Sequence, residues 1–209
     1  MQAFSHGHIL AAFFSANSTE LADGAGWYQR AIVAADNIAA QYSLTTDMVA
    51  GVIAALSPNN KWQRNVSDTD RLCRAYALGG HAAAEAIKCS TYSLNKIKAL
   101  RILSGEACLD VLGGMKVRSF YQCIIGDFQS ICVDGHAYAI WAGDRIPTTK
   151  TPKISAKLYS AIAADYLRAA DTINSILGAQ YSGAQIQAIT WLAYRRLVSE
   201  LGIYRSAES

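Results

Sequence analysis

Apolar residues recur along this chain at intervals of three and four almost from end to end, and no stretch alternates convincingly with period two. A chain patterned in this way is constrained to build itself from helices. Tyr28, Ala31, Ala35, Ile38 and Tyr42 fall on one stripe, and Ile154, Leu158 and Ile162 fall on another. Only three prolines interrupt the pattern in 209 residues, and 52% of the residues are hydrophobic against 17% charged. That balance supplies ample apolar surface for a core and excludes a disordered or low-complexity chain. The length fits one compact all-α domain over 1–209, and no internal repeat divides it.

The net charge of +3 permits a phosphate-bearing partner but does not demand one, since no dense basic tail or stripe is present. Cys73, Cys89, Cys108, Cys123 and Cys132 are odd in number and scattered, with no CxxC pair and no histidine cluster at metal spacing. They read as reduced core thiols of a cytoplasmic protein that holds no metal. The opening MQAFSHGHILAAFFSA carries a short apolar run without a basic leader. No segment approaches the roughly 20 apolar residues that a membrane helix needs, so no membrane partner is expected. The sequence is silent on oligomeric state.

Local signals divide the chain further. Thr45-Thr46-Asp47 can cap a helix running through Val49 to Leu56, and Ser57-Pro58-Asn59-Asn60 stops it, because proline disfavours helix at the residue before it. Trp62, Val66, Thr69, Cys73 and Tyr76 then recur at helical spacing until Gly79-Gly80, which predicts the end of that element. The stretch GDRIPTTKTPK (143–153) reads as a surface loop.

The most informative run is LGGMKVRSFYQCIIGDFQSICVDGHAYAIW (112–141). Cys108, Leu109 and Leu112 suggest a short helix, and Gly113-Gly114-Met115 a hairpin. Val117, Phe120, Tyr121, Ile124 and Ile125 then form the buried face of a second helix. Lys116 stands at the start of that helix; Gly126-Asp127 ends it, an extended SICV follows, and Asp134 is placed to cap another helix carrying Ala137, Ile140 and Trp141. A lysine at a helix N-terminus meets the positive end of the macrodipole, which disfavours its ammonium and favours the nucleophilic amine. A carboxylate beside such an amine can hold a proton or stabilise positive charge on a sugar or imine intermediate. Taken singly, a helix-start lysine is more often a solvated charge and an Asp before a helix more often only its cap. Their joint position around one helix, behind a glycine turn, favours the chemical reading.

Here the chain resembles the helix-hairpin-helix DNA glycosylase superfamily, the group of endonuclease III and 8-oxoguanine glycosylase. That family's hairpin precedes its catalytic lysine, and a Val-Asp-x-His segment holds its catalytic aspartate. The matching residues here are Leu112-Gly113-Gly114-Met115-Lys116 and Val133-Asp134-Gly135-His136. Upstream, VIAALSPNNKWQRNV (52–66) is similar to the family's helix and polar turn near the extruded base, and LNKIKALRIL (94–103) to the helix that leads to the hairpin. The likeness covers roughly 47–141, with the hairpin and catalytic segment at about 105–141. The hairpin is shorter than the family's and lacks its Gly-x-Gly spacing and its proline.

The resemblance implies a compact helical bundle of the helix-hairpin-helix glycosylase type, without an iron–sulfur cluster or other cofactor, acting on a damaged or modified base in DNA. Lys116 would be the Schiff-base nucleophile at C1′, Asp134 its charge-stabilising partner, and His136 a residue that positions the aspartate segment. Asn59, Asn60 and Lys61 would lie in the turn that approaches the nucleic acid, with Trp62 a candidate stacking surface that also falls on the core stripe. Tyr138, one turn beyond Asp134, is a candidate for the same site. In AQIQAITWLAYRRL (184–197), Gln187, Trp191, Tyr194 and Arg195 share helical offsets that can present one polar, aromatic face. Its plainer reading is an amphipathic helix with Ile186, Ile189, Ala193 and Leu197 inside and Arg195-Arg196 outside. Trp27, Tyr28 and Arg30 are weighed in the same way, with packing the commoner fate. SPNNKWQRN, CVDGHAYAIW and QAITW are also similar to small open reading frames of phages and plasmids, which implies the host cytoplasm. On that side the alternative is a base-hypermodification enzyme that transfers a group onto a modified thymidine. A third alternative is a helical module that binds nucleic acid without catalysis.

Overall fold

The computed structural model describes residues 5–144 and 150–200. Every regular element among them is helical, with no strand. In chain order these are α1 (Ser5–Phe14), α2 (Ser18–Ala25), α3 (Trp27–Tyr42), α4 (Thr46–Leu56), α5 (Trp62–Ala86), α6 (Ser93–Leu103) and α7 (Cys108–Val111). They are followed by α8 (Met115–Ile124), α9 (Gly135–Ala142), α10 (Ala156–Leu177) and α11 (Gly183–Glu200). The helices gather into two compact units, one made of Met1–Tyr28 with Phe128–Ser209 and the other of Gln29–Asp127.

In the Gln29–Asp127 unit, α4 is the central helix, packed against α5, α6 and α8. Val49 to Leu56 is buried at every position, as an all-apolar run must be when neighbours cover every side of it. Its N-cap is Thr45, whose hydroxyl accepts from the Met48 amide at 3.2 Å. Close approach is enforced at Gly51, where a Cβ would stand 2.4 Å from Cys108 Sγ. The helix opening at Trp62 does not stop at Gly79-Gly80. It breaks there, with Gly80 at φ +68, and resumes to Ala86, so the glycine pair bends α5 where the sequence suggested an end.

The Met1–Tyr28 and Phe128–Ser209 unit packs α1 against α9, α10 and α11, and α2 along α11. Ile9 and Phe13 of the N-terminal apolar run enter its core beside Ile140, Ile162, Tyr166 and Ile189. Asn17 and Glu20 close a capping box at α2, an element the periodicity did not reveal. Arg196 does not lie simply outside α11: its guanidinium bonds Glu20 at 2.7 Å and the Ser15 carbonyl at 2.9 Å. Of the 143–153 loop, residues 145–149 lie outside the described residues, while 151–155 run without helix up to the Ser155 cap of α10.

No helix among the described residues is long and apolar enough to cross a membrane. The five cysteines are free thiols, four of them buried and Cys89 partly so. Burial pushes the Cys73 thiol up to about 12, with the Asp70 charge adding to it. Burial, together with the charge and hydrogen bond of Asp47, does the same for Cys108, also to about 12.

Candidate functional site

Lys116 belongs to the Gln29–Asp127 unit, and Asp134, His136 and Tyr138 belong to the other. The two candidate regions therefore belong to separate units.

Around Lys116, the chain leaves α7 through Leu112 and Gly113 and enters α8 at Gly114, whose φ of +78 is left-handed and suits glycine. Arg118 closes this turn from inside α8. Its Nε donates to the Leu112 carbonyl and its Nη2 to the Leu109 carbonyl, both at 2.8 Å. Lys116 is exposed in the first turn of α8, which holds no acidic residue and no side-chain cap. A Cβ on Gly113 would stand 3.2 Å from Lys98 Nζ, so a second ammonium lies beside the glycine turn. Backbone amides at a helix start flanked by two cations make the turn favourable to anions. Neither Lys98 nor Arg118 stands out in the sequence, because each occupies an ordinary helical surface position.

The SPNN turn is held from several directions. Asn59 adopts φ +57 and its amide donates to the Tyr92 hydroxyl at 2.9 Å. Asn60 Nδ2 donates to Asp68 Oδ2 at 3.4 Å, and its own Oδ1 is buried without a hydrogen bond. Asp68 is buried and also accepts from the Ser90 amide at 2.7 Å and from the Arg71 guanidinium. Both asparagine amides thus stabilise the turn itself. Lys61, the N-cap residue of α5, is exposed, and Trp62 is partly buried.

In the other unit, residues 130–133 run without helix, fixed by the Tyr159 hydroxyl. That hydroxyl accepts from the Val133 amide at 3.1 Å and donates to the Ile131 carbonyl at 2.8 Å. Tyr159, which no sequence signal marks, thereby sets where Asp134 begins α9. Asp134 is the N-cap, its Oδ1 accepting from the Ala137 amide at 2.9 Å. Its Oδ2 lies 3.3 Å from His136 Nδ1. Burial, partly offset by a hydrogen bond from Thr190 and reinforced by the charge of Asp134, raises the Tyr166 phenol well above its ordinary range.

The structure brings α11 to this pair. His136 meets Trp191 edge to face at 6.2 Å and Tyr194 at 6.0 Å, while the Arg195 guanidinium stacks over the Trp191 ring at 4.8 Å. Gln187 is buried and accepts from the Tyr28 hydroxyl at 3.1 Å, so both side chains serve packing. Tyr138 is partly buried and stands 6.1 Å from Trp141, whose indole N–H donates to the buried Asp165 at 2.7 Å. Among the described residues no group of three His, Cys, Asp or Glu could hold a metal ion.

The fold and these two helix starts define an all-helical protein with a lysine behind a glycine turn and an aspartate–histidine pair against an aromatic helix face. Residues 3–197 match the model of a family described as a family of unknown function, DUF7178, and the chain belongs to that family. No curated protein and no solved structure matches the chain.

Proposed function

We propose that the protein is a DNA glycosylase-like enzyme of the helix-hairpin-helix type that releases a damaged or modified base, with Lys116 as nucleophile and Asp134 as its carboxylate partner. The observation that carries this reading is the order of the two helix starts. Lys116 is exposed in the first turn of α8, behind a glycine turn beside Lys98, and Asp134 then caps α9. The reading assigns the turn and its lysines to a DNA phosphate, and the Trp191 face to the neighbourhood of the extruded base.

In the reaction, Lys116 Nζ bonds to C1′ as the glycosidic C–N bond breaks, the electron pair leaving with the base. Loss of a proton from that nitrogen and cleavage of the C1′–O4′ bond, with O4′ taking up a proton, then open the sugar ring to an imine, a sequence that the Asp134 carboxylate assists. Borohydride reduction of that imine is the test, run on duplexes that carry a panel of damaged and modified bases. The expected result is a covalent protein–DNA adduct that disappears in Lys116→Ala. Absence of both adduct and released base across the panel removes the proposal.

A further inference from the structure

The two oxygens of Asp134 have different tasks. Oδ1 makes the cap bond to the Ala137 amide at 2.9 Å, while Oδ2 faces His136 Nδ1 at 3.3 Å. An ionised carboxylate only accepts hydrogen bonds, so the imidazole proton on that side belongs on Nδ1. In the neutral ring Nε2 is then the basic nitrogen. Trp191 and Tyr194 meet the ring edge to face, at interplanar angles of 88° and 79°. Tyr159 fixes the chain just before the aspartate. The His136 side chain retains 20% exposure, enough for water or a ligand to touch it.

We propose that Asp134 acts through His136. The carboxylate is a positioning group that fixes the Nδ1–H tautomer, and His136 Nε2 is the atom that takes up the proton of the attacking group. The chemistry rests on the glycosylase reading above. A hydrogen on the attacking oxygen or nitrogen passes to Nε2 as that atom bonds to C1′, and the C–N bond to the base breaks with its electron pair on the base. The imidazolium so formed is stabilised by Asp134 Oδ2 and returns its proton to the departing base.

Asp134→Asn tests the pair in the full-length chain. Asparagine caps a helix about as well as aspartate, so its oxygen keeps the Ala137 amide and its NH2 group turns toward Nδ1. Nδ1 must then accept, and the ring switches to the Nε2–H tautomer. Long-range proton–nitrogen NMR of the neutral side chain reads this directly, with the signal assigned by its loss in His136→Gln. Asp134→Ser is the second variant, since serine caps the helix but leaves no second oxygen for the imidazole. The expected result is Nδ1–H in the native protein and a shift toward Nε2–H in both variants. An Nε2–H native ring, or a tautomer unchanged in both variants, overturns the proposal.

On any duplex that gives an adduct, Asp134→Asn and His136→Gln should each slow single-turnover base release by about 10²–10⁴-fold, and the double variant no further. Additive losses overturn the shared role. The two readings fail separately. A tautomer switch without base release retains the pair and removes the glycosylase, whereas a Lys116-dependent adduct with an unmoved tautomer does the reverse.

Discussion

Ile189 occupies the space that a side chain on Gly24 would need. A Cβ built on Gly24 would stand 2.5 Å from the Ile189 Cα and 2.7 Å from its nitrogen, so α2 and α11 touch backbone to backbone at this point. Backbone atoms cannot swing aside as a side-chain tip can, and Gly24→Ala forces the helices apart at a cost of about 1–3 kcal/mol. Gly7→Ala in α1 is the control, since nothing lies within 4 Å of its added methyl, and it should be neutral or slightly stabilising. Urea unfolding of both variants checks the contrast; equal stabilities would contradict the close approach.

Arg118 clamps the turn that presents Lys116, through the carbonyls of Leu109 and Leu112. Arg118→Ala removes two charge-assisted bonds and should cost about 1–3 kcal/mol. Its more specific signature is local. Amide exchange at 112–116 should quicken well beyond what the global loss explains, while Val49 to Leu56 in α4 keeps its relative protection. Arg118→Lys should behave like the alanine variant, because an ammonium cannot span both carbonyls in the fixed fork geometry of a guanidinium. Uniform acceleration over the whole Gln29–Asp127 unit would count against a local clamp.

Local chemistry was legible in the sequence, and long-range pairing was not. Thr45 and Asp134 act within three residues of themselves, as does the backbone bond from Asn60 to Ser57 in the SPNN turn, and each does in the structure what its neighbours imply. The glycine pair at 79–80 misled because glycine marks a break in helical geometry without saying whether the chain resumes the helix. Asn17 and Glu20 carried a readable capping box, but the helix it starts is only eight residues long and offers few apolar side chains, Leu21, Ala22 and Ala25. Asp68, Asp165 and Tyr159 were invisible as organising residues because their partners, Ser90, Trp141 and Val133, lie 22 to 26 positions away. Trp191, by contrast, was visible by spacing, and its meeting with His136 required the fold.

The thiols should separate sharply in reactivity. Cys89 is the partly buried one, while Cys73 and Cys108 are buried and held at about 12. Alkylation of the native protein at neutral pH should therefore label Cys89 first, and Cys73 and Cys108 only in denaturant. The stability consequence lies at the alkaline end. A thiol whose value is raised on folding contributes fully below its ordinary value of 9.0, and the contribution falls as pH rises from there toward 12. Cys73→Ala should show a flatter loss of stability across that window than the native chain. Early labelling of Cys73 in the folded state would argue against its burial.

Glu20 and Arg196 give the acid end its own signature. Burial alone would raise the Glu20 carboxyl, yet the hydrogen bond from Arg196, the Asn17 amide and the Arg196 charge together hold it below its ordinary value of 4.5. A carboxyl lowered on folding contributes fully above its unfolded value and loses that contribution as pH falls through the folded one. Native stability should accordingly decline below about pH 4.5 as Glu20 takes up a proton and releases Arg196. Glu20→Gln keeps a capping side chain but has no charge to lose, so it should be less stable than the native chain at pH 7 and show a shallower decline on acidification. Urea midpoints for the two proteins between pH 7 and pH 3 measure this directly. Parallel curves would mean that the bridge between the N-terminal segment and α11 makes no titrating contribution to the fold.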